Sequence, residues 1–189
     1  MELVNKISIS KIFKIFLIVV LGTVLLTVSA KTKINFSFWG FGQTVPMTMQ
    51  TFVVLFLGLA FGYKIGLATV SLYLIEGIIG LPVFANSPEK GIGIVYFTGP
   101  TMGYLIGFLF ATFLAGYFNF KGNILNNFIK LLISVSTIYI LGVFWLGSLI
   151  GWDKPIIQLG VTPFLLAELF KIVILTLLTK NILKLRKFI

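Results

Sequence analysis

LLISVSTIYILGVFWLGSLIGW, residues 131–152, runs for 22 positions without a charge. A bilayer core about 30 Å thick takes about 20 apolar residues of helix to cross, so this stretch spans one by itself. Working outward, similar apolar stretches run from Ile15 to Ala30, Ile34 to Tyr63, Ile65 to Ile75, Gly91 to Phe120 and onward from Pro155. Ending each helix at Gly, Pro, Asn or charge signals gives six, at about 12–30, 47–62, 65–81, 100–118, 126–150 and 162–182. The expectation is an all-α integral membrane protein, one transmembrane domain over 1–189 with an even number of crossings.

Composition agrees, since 189 residues with 58% hydrophobic and only 11% charged side chains cannot cover a soluble domain with charge. Ten cations (Lys6, Lys11, Lys14, Lys64, Lys121, Lys130, Lys180, Lys184, Arg186 and Lys187) fall on the side of the chain ends. The other side has Lys31, Lys33, Lys90 and Lys154 with Glu89 and Asp153. By the positive-inside rule both termini are expected in the cytoplasm of a multi-pass cell-membrane protein. The basic ends read as anchors against anionic lipid and not as a nucleic-acid surface. Lys6, Lys11 and Lys14 ahead of an apolar run ending Val28-Ser29-Ala30 resemble a signal peptide, but with no soluble domain to export the run is read as a retained crossing.

With no Cys and no His, thiolate chemistry and the commonest general base and metal ligand are missing, and no metal or cofactor is expected. Gly58, Gly62 and Gly66, Gly103 with Gly107, and Gly147 with Gly151 recur at intervals of four. That spacing lines small residues along a helix face for close packing in lipid, and Gly62 and Gly66 also flank a turn at Lys64. Two long aromatic connections, Phe36–Val45 (with Trp39) and Pro82–Gly99, are expected to fold as lids over the outer mouth, because irregular backbone at membrane depth must be buried or line a cavity. Trp39 and Trp152 also suit an interfacial belt.

Three ionisable residues lie inside the expected crossings: Glu76, Glu168 and Lys171. An unpaired charge at a helix centre costs about 2.5–3.5 kcal/mol even on lenient scales, so such residues are functional by default. If Thr162 caps the last helix with Pro163 at its first position, Glu168 lies about 9 Å in and Lys171 about 13 Å, with Glu76 about 7–8 Å below the end of helix three. Glu168 and Lys171, three apart, share a face and can meet a ligand, and Glu76 is expected among the ligand contacts, with pairing to Lys171 or snorkelling to the interface as the alternatives. Thr48, Gln50, Tyr73, Asn86, Thr101 and Tyr104 lie at similar depth, which describes a polar pocket for a small organic molecule and not for a bare ion. Two carboxylates without His or Cys make a metal site unsuitable.

Four ordered blocks resemble the biotin-specific BioY family of substrate-binding S components of energy-coupling-factor vitamin transporters. They are Val45-Pro46-Met47-Thr48-Met49-Gln50-Thr51, Tyr73 through Ala85 (YLIEGIIGLPVFA), Gly99 through Phe108 (GPTMGYLIGF), and Gly160 through Lys171 (GVTPFLLAELFK). The resemblance implies a six-helix protein that captures biotin from outside under a lid, with the acidic and Lys positions of the last helix among the contacts. Glu168 would accept from the ureido N–H groups while Lys171 or the Asn86 amide donates to an oxygen. It also implies a transmembrane coupling subunit and two ATPases as partners, consistent with the absence of any Gly-Lys dipeptide and hence of a Walker A loop. Two positions depart from the family pattern: Ala167-Glu168 stands where Gly-Asp is usual, and helix one offers only Gly22 with Leu26, or Thr23 with Thr27, where small residues four apart dock the coupling subunit. An S component for another vitamin or small ligand is the nearest alternative reading. An intramembrane enzyme lacks the several Asp, His or Ser residues such sites assemble, and a purely structural subunit would leave the three buried charges without a task.

Overall fold

The computed structural model describes residues 9–36 and 45–188. The elements in chain order are α1 (Ile9–Lys31), β1 (Lys33–Phe36), β2 (Val45–Thr48), α2 (Gln50–Ile78), α3 (Gly93–Phe97), α4 (Met102–Tyr117), α5 (Ile124–Ile150), α6 (Ile156–Gly160) and α7 (Leu165–Ile182), with 3-10 turns at Thr162–Phe164 and Leu183–Phe188. The fold is helical, and among the described residues four helical segments are long and apolar enough to cross a membrane: Lys11–Lys31, Gln50–Ile78, Ile124–Ile150 and Ile156–Phe188. Met102–Tyr117 is apolar but shorter.

The long α2 is not straight. Gly62, at φ 78° and ψ 168°, breaks it with a conformation open almost only to glycine. Along a straight helix residues 23 apart would be separated by about 34 Å, yet the Gln50 side-chain amide donates to the Tyr73 hydroxyl at 2.7 Å. A Cβ on Gly66 would likewise lie 3.2 Å from the Gly58 Cα. The chain therefore doubles back at Gly62 into a helical hairpin, within a segment where a break between helices at 47–62 and 65–81 is expected from sequence.

Small residues set the packing around that hairpin. A Cβ on Gly58 would reach the Thr112 carbonyl oxygen at 2.4 Å, and one on Gly116 the Tyr63 backbone nitrogen at 2.2 Å, so α2 and α4 touch backbone to backbone. The Thr112 hydroxyl donates to the Val54 carbonyl across the same contact at 3.1 Å. Gly103 and Gly107 do press one face of α4 onto α5, where Cβ atoms would lie 2.3 Å from the Leu141 oxygen and 2.6 Å from the Ile138 Cα. The other expected pair separates: Gly147 lies under the Trp152 ring, and Gly151, at φ 96°, ends α5. At the Gly62 end the Arg186 guanidinium donates to the carbonyls of Leu59, Gly58 and Gly116. It thus closes the C-terminal ends of the first arm of α2 and of α4, where unsatisfied carbonyls and the helix dipole favour a cation.

Several expected boundaries shift. Lys33–Phe36 and Val45–Thr48 pair as a two-stranded antiparallel hairpin, so the fold carries a small sheet and α2 starts at Gln50, not at 47. The rest of the Phe36–Val45 connection, with Trp39, lies outside the described residues. The last helix starts at Leu165 because Thr162-Pro163-Phe164 forms a 3-10 turn, and the Thr162 hydroxyl bonds back to the Ile157 carbonyl instead of capping. On α1, Gly22, Thr23 and Leu26 are buried. Gly22 faces Thr69 and Leu57 of α2, so these small residues serve packing inside the bundle.

Candidate ligand-binding site

The Pro82–Gly99 connection is a built cover, as expected, and not a loose loop. Phe84 is 1% exposed, stacks on Tyr96 with centroids 5.0 Å apart and meets Tyr73 edge-on at 5.5 Å. A Cβ on Gly77 would collide with the Phe84 ring at 2.0 Å, so the glycine opens the slot that the ring fills. The Lys31 ammonium, at the end of α1, donates to the Phe84 carbonyl at 2.8 Å and to the Ser87 carbonyl and hydroxyl. On the far side Trp145 donates from its indole nitrogen to the Gly99 carbonyl at 2.9 Å, fixing the Pro100-Thr101 turn against α5.

Beneath this cover lies a cavity of about 420 Å³, within the range of small-molecule sites. Seven of the nine residues expected from sequence line it: Thr48, Gln50, Asn86, Thr101, Tyr104, Glu168 and Lys171. They come from β2, α2, the cover, the start of α4 and α7, so the site exists only in the assembled bundle. The apolar wall includes Phe108, Ile138, Leu146 and Phe164.

Tyr73 and Glu76 are not in that wall. Tyr73 is fully buried behind it, its hydroxyl accepting from Gln50 and donating to the Val83 carbonyl at 3.1 Å. It holds Gln50 and the cover in place and faces Phe84, not the cavity. Glu76 is half-buried on the second arm of α2 and forms no ion pair with Lys171, whose partner is Glu168. Thr69, Tyr73 and Glu76, at i, i+4 and i+7, mark one face of this arm, and that face meets α1 through Thr69 and the cover through Tyr73 instead of lining the cavity.

Glu168 and Lys171 are each 5% exposed, and their charged ends meet at 2.8 Å. Helical i, i+3 spacing brings the pair together, but the surroundings decide what it can do. An ammonium has three N–H donors. Those of Lys171 go to the Glu168 Oε1, the Thr48 carbonyl at 2.8 Å and the Thr51 hydroxyl at 3.0 Å. Thr51 in turn donates to the same Glu168 oxygen at 2.7 Å. Oε1 thus accepts twice, while Oε2, equally buried, has no partner at hydrogen-bond distance and angle among the described residues, and the Tyr139 hydroxyl is the donor that interacts with this carboxylate. A buried carboxylate oxygen without a well-formed hydrogen bond carries a desolvation cost that a ligand donor would remove.

Thr51 and Tyr139 were not anticipated. Thr51 lies in the first turn of α2, just after β2 ends at Thr48, and its hydroxyl meets both Lys171 and Glu168. Tyr139 sits in the middle of the charge-free α5 run, packs edge-on against Tyr104 at 6.1 Å and lines the cavity beside Glu168. A hydroxyl-bearing ring within so apolar a stretch is the signal that could have singled it out. Tyr104 donates to the Gly160 carbonyl at 3.0 Å and fits against Gly142, whose Cβ would strike its ring. The cavity floor therefore depends on glycines of α5 and α6.

Helices able to span a membrane, enclosing a covered cavity with one buried acid and one buried cation, define a membrane protein with a small-molecule binding site and leave no catalytic constellation among the described residues. The BioY family model matches residues 4–188, and the chain belongs to the BioY family. It is 40% identical over 127 residues to "Probable biotin transporter BioY" of Pyrococcus horikoshii, covering 67% of this chain and 74% of that one. It is 35% identical over 142 residues to "Biotin transporter BioY" of Thermotoga maritima, covering 75% and 82%. Among solved structures, the S-component for biotin from an ECF-type ABC transporter matches with a TM-score of 0.74 at 23% identity, covering 94% of each chain. The relatives are transporters and not enzymes, in line with the sequence reading.

Proposed function

We propose that this chain is the biotin-binding S subunit of an uptake transporter, taking biotin into the covered cavity through Glu168. The observation that carries this reading is the buried Glu168–Lys171 pair in the lining of a cavity large enough for a small organic molecule. Biotin presents two ureido N–H donors, which suit the Glu168 acceptor. Asn86, Thr101 and the remaining N–H of Gln50 are the neutral groups for its carbonyl, and the apolar wall takes its aliphatic stem. The names of the relatives support the ligand.

In this reading the bundle makes six crossings, the two arms of α2 counting separately because they fold back at Gly62, with both termini cytoplasmic and the cover outside in the cell membrane. The ten cations on the terminal side support that orientation. Without a nucleotide-binding loop of its own, the chain delivers its ligand with an ATP-driven coupling module, a transmembrane subunit with two ATPases; that the structural neighbour is an S-component from an ECF-type ABC transporter supports such a partnership. Equilibrium binding of biotin to the purified chain tests the ligand assignment, with saturable one-to-one binding expected. Absence of binding by folded protein would remove it.

A further inference from the structure

The charge balance of the cavity points to how it treats the charged end of its ligand, an inference that rests on the biotin reading. The cavity wall contains one cation, Lys171, and one anion, Glu168, joined at 2.8 Å. All three Lys171 donors are taken within the protein. A ligand carboxylate could reach this ammonium only by displacing Glu168, Thr51 or the Thr48 carbonyl, and would then lie beside a buried carboxylate of its own sign. No other Lys or Arg lines the cavity among the described residues. Residues 37–44, SFWGFGQT, contain no charged side chain that could supply one.

The cations on the cover side are outside the wall. Lys31 is held by the Phe84 and Ser87 carbonyls and the Ser87 hydroxyl. Lys33 and Lys90 are exposed, where an ion pair is screened and worth little. We infer that the site reads the uncharged part of its ligand and is indifferent to the carboxylate charge, so that carboxyl-blocked biotin, as a primary amide or a methyl ester, is bound about as well as the free acid. The substrate class is then the ureido-ring compound with either a free or a blocked acid, its tail directed away from Glu168.

Competition of biotin, biotin amide and biotin methyl ester against labelled biotin on the purified full-length chain tests this. The amide nearly matches the carboxylate in shape without its charge, and the ester removes the charge without adding an N–H donor. At least one neutral form should bind within about tenfold of the acid, a margin set by exposed ion pairs. Loss of more than tenfold with both neutral forms, while the acid binds, would overturn the inference and leave the biotin reading intact. Failure of the acid itself to bind would count against the biotin reading. Glu168→Gln should weaken acid and amide by the same factor, since neither uses its charge; a loss confined to the acid would also overturn it.

Discussion

At the Gly62 end of the molecule α2 and α4 meet backbone to backbone, whereas at the other end Gln50 of α2 and Tyr104 of α4 line a cavity beside the Glu168–Lys171 pair. At the first, Gly58, Gly66 and Gly116 leave no room even for a methyl group, and Arg186 closes the carbonyl ends. At the second, large aromatic side chains wedge between helices and leave about 420 Å³ unfilled. In lipid, where apolar burial gives little drive for helices to associate, close packing and hydrogen bonds hold them together. The tight end fixes the geometry that the open end needs for recognition.

The sharpest way to break this comparison is to unbalance the open end. Lys171→Met leaves Glu168 buried without its cation and should destabilise the protein by about 3–5 kcal/mol, the usual effect of breaking a buried pair. The double variant Glu168→Met with Lys171→Met should recover most of that stability without recovering ligand binding. Thermal unfolding in detergent beside a binding assay separates the two, and an unchanged unfolding temperature in the single variant would mean that the pair is not held as described.

At the tight end, Gly116→Val should cost about 1–3 kcal/mol, because the obstructing atoms are the Tyr63 backbone and cannot rotate away. Denaturation should register this, and ligand affinity should drop less than in Lys171→Met. Tyr73→Phe removes one hydroxyl that both supports Gln50 and ties down Val83. It should cost about 1 kcal/mol in stability and weaken binding indirectly by freeing Gln50, seen as a faster ligand off-rate. Lys90→Gln, on the exposed part of the cover, should change stability by no more than about 0.5 kcal/mol and leave affinity unchanged, read from the same two assays.

The spans were legible because long charge-free runs have few other uses, and Glu168 and Lys171 because a charge in lipid demands a partner. Asn86, Thr48, Gln50, Thr101 and Tyr104 followed from being polar at the same depth. What stayed hidden depends on rotation and on backbone conformation. Tyr73 and Glu76 share a face with Thr69 on the second arm of α2, but only the assembled bundle shows that this face meets α1 through Thr69 and the cover through Tyr73, and Thr51 and Tyr139 join the site only through contacts that the bundle makes. A turn at Lys64 flanked by Gly62 and Gly66 is legible in the residues, and the positive φ places the break at Gly62 itself. The β1–β2 pair is too short, and Pro46 too untypical of a strand, to have been read from residues alone.

The most direct measurement is calorimetric titration of biotin into the purified chain and its Glu168→Gln variant, which keeps size and removes the charged acceptor. Saturable binding by the native chain, weakened about 10- to 100-fold in the variant as expected for a hydrogen bond to a charged group, is the predicted result. Equal affinity in both, with both folded, would contradict the role given to Glu168 and with it the recognition scheme built on that residue.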